Sequence, residues 1–192
     1  MSAEPAEAPI DLATVAYTPN YCEENIWQLS RHPSLPAGLR YVVFISNSDR
    51  SCAMWSQRAA EQAGAPVVWD YHVILLVEGR ENLVFDLDST IGVPVALDRY
   101  LDETFPFAGQ IERKLQPFFR IVESGEFRRT FASDRTHMQQ DDRWRHRPPP
   151  WPPIQAPGKQ MNLDDFIDMK SSGYGEVINL RGLRGRFNVP EA

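Results

Sequence analysis

Two cysteines and four histidines are all that 192 residues offer for thiol and imidazole chemistry, and that scarcity excludes a good deal. Cys22 and Cys52 are too few for a disulfide framework, which fits a reducing intracellular compartment. Neither they nor the scattered histidines show the paired spacing of a zinc site, so no metal is expected. No glycine-rich loop opens a helix to cradle a phosphate, and no organic cofactor is expected. Basic residues are also short. Twenty Lys and Arg against 26 Asp and Glu give a net charge of −6, which argues against nucleic acid as a partner. No apolar run approaches the roughly 20 residues of a membrane span. The acidic start, Met1-Ser2-Ala3-Glu4, lacks the basic and apolar regions of a signal peptide. The expectation is a cytoplasmic protein, with the nucleus also open to it.

What is present is an ordinary globular balance, 42% hydrophobic and 24% charged, enough for one core. Residues 1–16 are rich in Ala, Pro and Glu without periodicity and read as a flexible tail, leaving 17–192 as a single domain. A short helix is expected from Cys22 through Leu29, ended by Pro33 and Pro36. Tyr41–Ile45 and Phe118–Val122 read as strands by their β-branched and aromatic content. Met54–Gln62, Leu97–Phe105 and Ile111–Leu115 suit helices. Val67–Val77 and Asn82–Leu87 suit two strands of a hairpin, and Asn162 suits the N-cap of a helix over Leu163–Met169. Helices interleaved with an antiparallel hairpin make the class α+β.

The hairpin carries the chemistry. Opposed residues share a sheet face. A turn centred on Gly79 sets His72 directly across from Asp86, and Asp70 across from Asp88. A two-residue Gly79-Arg80 turn would send Asp86 to the other face. Joint action of His72 and Asp86 therefore requires an odd-numbered loop.

Cys22 at a helix start gains from the unpaired N–H groups there, which favour a thiolate and can hold an oxyanion. Glu23 and Glu24 oppose the thiolate, so His72 must supply most of the activation. Cysteine as nucleophile, histidine as acid/base and aspartate as the orienting carboxylate form the triad of acyl-transfer catalysis. Alternatives stand beside this. Cys22 could be a small buried hydrophobe. His137 competes with His72, and Cys52 reads as structural. Pro148–Pro153 could be a polyproline ligand, though such segments more often pack on their own protein.

Six motifs in order carry a resemblance. They are Tyr21-Cys22-Glu23-Glu24-Asn25, Val43-Phe44-Ile45-Ser46-Asn47, Trp69-Asp70-Tyr71-His72-Val73, Asp86-Leu87-Asp88, Phe131-Ala132-Ser133-Asp134-Arg135 with His137-Met138, and Met161-Asn162-Leu163. From about Tyr21 to Phe187 the chain resembles the protein N-terminal glutamine amidohydrolases, also described by the WDYHV motif. The resemblance implies a monomeric papain/transglutaminase-like fold, with Cys22, His72 and Asp86 as the triad and no metal or cofactor. It implies deamidation of N-terminal glutamine in proteins and peptides, upstream of arginyl transfer in the N-degron pathway. Confinement to the terminus calls for a carboxylate that meets the α-ammonium; Glu24, Asp70 and Asp88 are the candidates. A transglutaminase-like acyl transferase, a cysteine peptidase and a non-catalytic module using the proline-rich segment are the other classes.

Overall fold

The strands at the centre are apolar on both faces, and the fold follows from that. The computed structural model describes residues 10–190. In chain order the elements are α1 (Cys22–Leu29), β1 (Leu39–Ser46), β2 (Cys52–Met54), β3 (Val67–Trp69), β4 (His72–Glu78), β5 (Leu83–Phe85), β6 (Val95–Ala96), α2 (Leu97–Thr104), β7 (Phe118–Glu123), α3 (Ser124–Thr130), β8 (Gln139–Gln140), β9 (Arg143–Trp144), α4 (Leu163–Ile167), β10 (Glu176–Asn179) and α5 (Leu180–Arg186). Six strands form one sheet in the order β10-β7-β1-β4-β5-β6, and every pairing in it is antiparallel. The molecule is of mixed helix and sheet composition, as expected.

Alternation along β1 and β4 divides the core in two. Val42, Phe44, Val73 and Leu75 pack with Ile26, Leu29, Phe127 and Phe166, which brings α1, α3 and α4 onto one face. Val43, Ile45, Ile74 and Leu76 pack with Leu97, Leu101, Phe119 and Leu183, which brings α2 and α5 onto the other. A strand covered on both sides has no polar face, hence the unbroken runs Val42–Ile45 and Val73–Val77.

Several expectations need correction. The 67–77 strand is broken at Asp70-Tyr71: β3 pairs with β2 in a separate small sheet, while β4 joins the main one. Asp70 therefore does not face Asp88 across a ladder. Leu75 pairs with Phe85, Leu76 with Val84 and Val77 with Leu83, so the turn centres on Arg80 rather than Gly79. The loop stays odd-numbered and parity is kept, but Asp86 is now the diagonal neighbour of His72 instead of its direct opposite. Residues 54–62 are not helical. Ser56 has a positive φ of 57°, and Gln57 forms an isolated bridge to Ser89.

Of the expected tail, residues 1–9 lie outside the described residues; Ile10 is buried in the core and Leu12–Thr14 form a 3-10 turn. Asn162 stands at the N-cap position of α4 but caps nothing with its side chain. Its amide instead accepts from the Ala132 N–H and donates to the Thr130 carbonyl, both at 2.8 Å.

Candidate active site

The chain reaches Cys22 through a turn with local causes. Asn20 takes a left-handed conformation, φ 66°, which asparagine tolerates better than most residues. The Asn25 side chain accepts from the Thr18 N–H and donates to the Thr18 carbonyl, both at 2.8 Å. This clamps the loop to the first turn of α1. Tyr21 offers no side-chain cap, so the first N–H groups of the helix stay without that partner. Cys22 is the first helical residue.

At the start of β4, His72 and Asp86 meet. His72 Nε2 lies 2.8 Å from Asp86 Oδ1, with both side chains almost wholly buried. Asp86 has further donors: Tyr100 Oη at 2.9 Å, Gln57 Nε2 at 3.2 Å and the Asp88 N–H at 3.0 Å. Burial works against its charge, but the His72 ring, the Gln57 amide and the Asp88 N–H outweigh burial and hold its pKa below the ordinary carboxylate value. Burial also opposes a charge on His72, yet Asp86 and then Asp88 and Glu23 hold its pKa above the ordinary value. The indole of Trp69 stacks on the imidazole, 5.7 Å between centroids. With Nε2 committed to Asp86, Nδ1 is the nitrogen left for a reacting group.

Cys22 and His72 line one cavity of about 260 Å³, together with Trp69, Asp70, Tyr71, Asp88 and His137. A hydrogen bond from the backbone of Val73, the residue after His72, also acts on the Cys22 thiol. Its electrostatics run against the helix-start expectation. Burial pushes the thiol well up, and Glu23, Asp88 and Asp70 push the same way; the Val73 bond lowers it. Glu23 Oε2 is 3.7 Å from Sγ. Three carboxylates and desolvation outweigh a helix terminus of about half a charge. Cys52 is fully buried in the second core cluster, away from any such arrangement, and burial alone pushes its thiol up to about 12.

The remaining candidates separate. Asp70 and Asp88 line the cavity; Asp70 Oδ1 accepts from the Tyr71 N–H at 2.9 Å, and Asp88 Oδ1 accepts from Tyr17 Oη at 2.6 Å. Glu24 is fully buried and already paired. Arg135 grips both its oxygens at 2.8 Å, and Trp151 Nε1 donates to Oε2 at 2.7 Å. The Arg135 guanidinium also donates to the Pro149 and Trp151 carbonyls. Glu24 thus anchors the proline-rich segment, whose Pro149 is buried, as are Ile154 and Ala156 just beyond it. That segment packs on its own protein.

Among the described residues, ligand atoms of His72, Asp86 and Asp88 lie within 4.8 Å of one another, the spacing a metal would need. Both Asp86 oxygens are already held by protein donors. Sequence reasoning missed Gln57, Tyr100 and the cluster of Glu23, Tyr71 and His137. Tyr100 had a signal, since the 97–105 helix turns Leu97, Tyr100, Leu101 and Thr104 to one buried face. Gln57 had none.

Residues 17–187 match the model of the N-terminal glutamine amidase family. The chain is 38% identical over 192 residues to the protein N-terminal glutamine amidohydrolase of Homo sapiens, covering 96% of this chain and 92% of that one. It is 39% identical to the protein of the same description from Danio rerio, over 90% of this chain and 89% of the other. For the one from Arabidopsis thaliana the identity is 38%, over 85% and 79%.

Proposed function

This chain belongs to the N-terminal glutamine amidase family, and from that premise we propose that it deamidates the side chain of an N-terminal glutamine in proteins and peptides, giving N-terminal glutamate and ammonia. It is a hydrolase of amide C–N bonds. Cys22 is the nucleophile, His72 the acid/base and Asp86 the group that fixes the imidazole. One observation carries this most: a buried His72–Asp86 bond of 2.8 Å at the wall of a cavity that also opens on Cys22. A cysteine heading a helix that packs on a sheet bearing the histidine suits the papain/transglutaminase-like arrangement.

The chemistry follows from the groups available. The Cys22 proton passes to His72 Nδ1 as the sulfur attacks the side-chain carbonyl carbon. The uncapped N–H groups at the start of α1 hold the oxyanion. His72 then protonates the departing nitrogen, so ammonia leaves and a γ-glutamyl thioester remains. Water gives a proton back to His72, adds to the thioester and releases the thiol. Asp70 and Asp88 set negative charge on the cavity wall, opposite in sign to the α-ammonium of the substrate. At about 260 Å³ the cavity falls below the roughly 300–1,000 Å³ of sites for drug-sized ligands. That favours one side chain and its terminus over the second substrate of an acyl transferase. In the cell such an enzyme acts in the cytoplasm and nucleus, as a monomer, upstream of arginyl transfer.

The test is ammonia release from three peptides, with Gln free at position one, Gln acetylated at position one, and Gln internal. Rapid release from the first and little from the others is expected. Equal rates on free and acetylated Gln would rule out recognition of the ammonium.

A further inference from the structure

Behind Cys22 lies a charge that the triad does not use. Glu23 is fully buried. Its Oε2 accepts from Tyr71 Oη at 3.0 Å and stands 3.7 Å from Cys22 Sγ. Its Oε1 is buried with no hydrogen-bond partner among the described residues. His137 Nε2 is 3.5 Å from that oxygen and also 3.5 Å from Tyr71 Oη. Tyr71 and His137 both line the cavity, as does Cys22. A buried carboxylate left incompletely bonded is costly and asks for a functional reason; here it sets uncompensated negative charge directly behind Tyr71.

Hydrogen-bond direction limits what a ligand there can be. An ionised carboxylate only accepts, so Tyr71 gives its single proton to Glu23 and keeps lone pairs as an acceptor. Burial and the charges of Glu23 and Cys22 hold its phenol pKa well above the ordinary value, so it stays protonated. The wall beside the nucleophile is thus acceptor-rich and backed by a negative charge. It suits a cation with several N–H groups. The span is of the right order: Tyr71 Oη and Cys22 Sγ stand 3.0 and 3.7 Å from the same Glu23 oxygen, and the α-nitrogen of glutamine is four bonds of about 1.5 Å from the carbon that Cys22 attacks.

We propose that Tyr71 is the residue that contacts the substrate α-ammonium, with Glu23 behind it as the positioning residue that supplies the countercharge and His137 closing the same wall. This rests on the N-terminal amidase reading above and assigns its recognition to Tyr71 and Glu23, rather than to Asp70 or Asp88. Pairing Glu23 with a cation has a second effect. It removes part of the field that opposes the Cys22 thiolate, alongside Asp70, Asp88 and burial and against the Val73 bond. Recognition of the terminus thereby assists the nucleophile.

The experiment compares a Gln-initiated peptide with its des-amino analogue, in which a 4-carbamoylbutanoyl group replaces Gln. Steady-state kcat/KM is measured for the wild type, Tyr71→Phe, Glu23→Gln, Asp88→Asn and Asp70→Asn. The readout is the ratio of the two rates within each variant, which partial loss of folded enzyme leaves unchanged. Tyr71→Phe is expected to lower the free-amine rate about 10- to 100-fold, the range of one charge-assisted hydrogen bond, with the des-amino rate within a few-fold. Glu23→Gln is expected to collapse the ratio while holding or raising the des-amino rate. An unchanged ratio in both overturns the assignment. So does a ratio lost in Asp88→Asn or Asp70→Asn but kept in Tyr71→Phe, which leaves ammonium recognition itself standing. A wild type that treats the two peptides alike would overturn the underlying reading instead.

Discussion

Asp86 concentrates the design of the site in one side chain. Four donors converge on its two oxygens, from His72, Gln57, Tyr100 and the Asp88 backbone. It fixes the ring so that Nδ1 faces the chemistry. An asparagine there can turn its NH2 to Nε2, which puts the proton on Nδ1 and removes the base. Asp86→Asn leaves some of these donors unmatched and should lower stability, yet the folded fraction should lose on the order of 10³- to 10⁴-fold in kcat/KM, checked by steady-state kinetics beside thermal unfolding. Cys22 makes a second prediction at this scale. Burial, Glu23, Asp88 and Asp70 raise its pKa, and only the Val73 bond lowers it. Iodoacetamide alkylation of the free enzyme should therefore keep rising past the ordinary thiol value of about 8.5. A rate already level at neutral pH would mean that the thiolate is preformed. The meeting of His72 with Asp86 and the place of Cys22 at a helix start were legible in the sequence, because few thiols and imidazoles compete and strand parity constrains them. Tyr71 and Glu23 were in view, but a hydrogen bond between α1 and β4 leaves no mark on either segment alone.

Elements deliver these residues with uneven legibility. The apolar runs of β1, β4 and β7 and the extents of α1 and α2 were readable, being local. The register of β4 with β5 was not, because a five-residue loop and a four-residue one fit the same sequence, and only the centre at Arg80 sets the diagonal contact. The stretch after β2 misled for a similar reason. It has helical residues, but its backbone turns at Ser56 to carry Gln57 to Asp86. Both α3 and α5 were missed despite side-chain caps, Glu123 to the Gly125 and Glu126 N–H groups and Asn179 to Gly182; their glycines and charges mask the period. The proline-rich segment gives the prediction at this scale. Glu24→Gln leaves the buried Arg135 guanidinium with no carboxylate and should cost roughly 3–5 kcal/mol, measured by urea unfolding. Limited proteolysis should cut faster within residues 139–157. Unchanged stability would contradict the anchoring role of Glu24.

For the whole molecule, the sheet is a partition whose end is the site. His72 shares the face of Ile74 and Leu76, toward α2, and Cys22 heads the helix on the opposite face. Both line the cavity where β4 begins. A fold of this kind carries the proposed nucleophile and base on opposite faces of one sheet and brings both to the same end of it. No helix among the described residues is long and apolar enough to cross a membrane. The central claim is that Cys22 performs the chemistry on an N-terminal glutamine. It is tested most directly by ammonia release from one Gln-initiated peptide, measured side by side for the wild type, Cys22→Ala and Cys52→Ala. The account predicts no release above the blank for Cys22→Ala and a rate within a few-fold of wild type for Cys52→Ala. Turnover by Cys22→Ala, or its loss in Cys52→Ala with the fold intact, would contradict it.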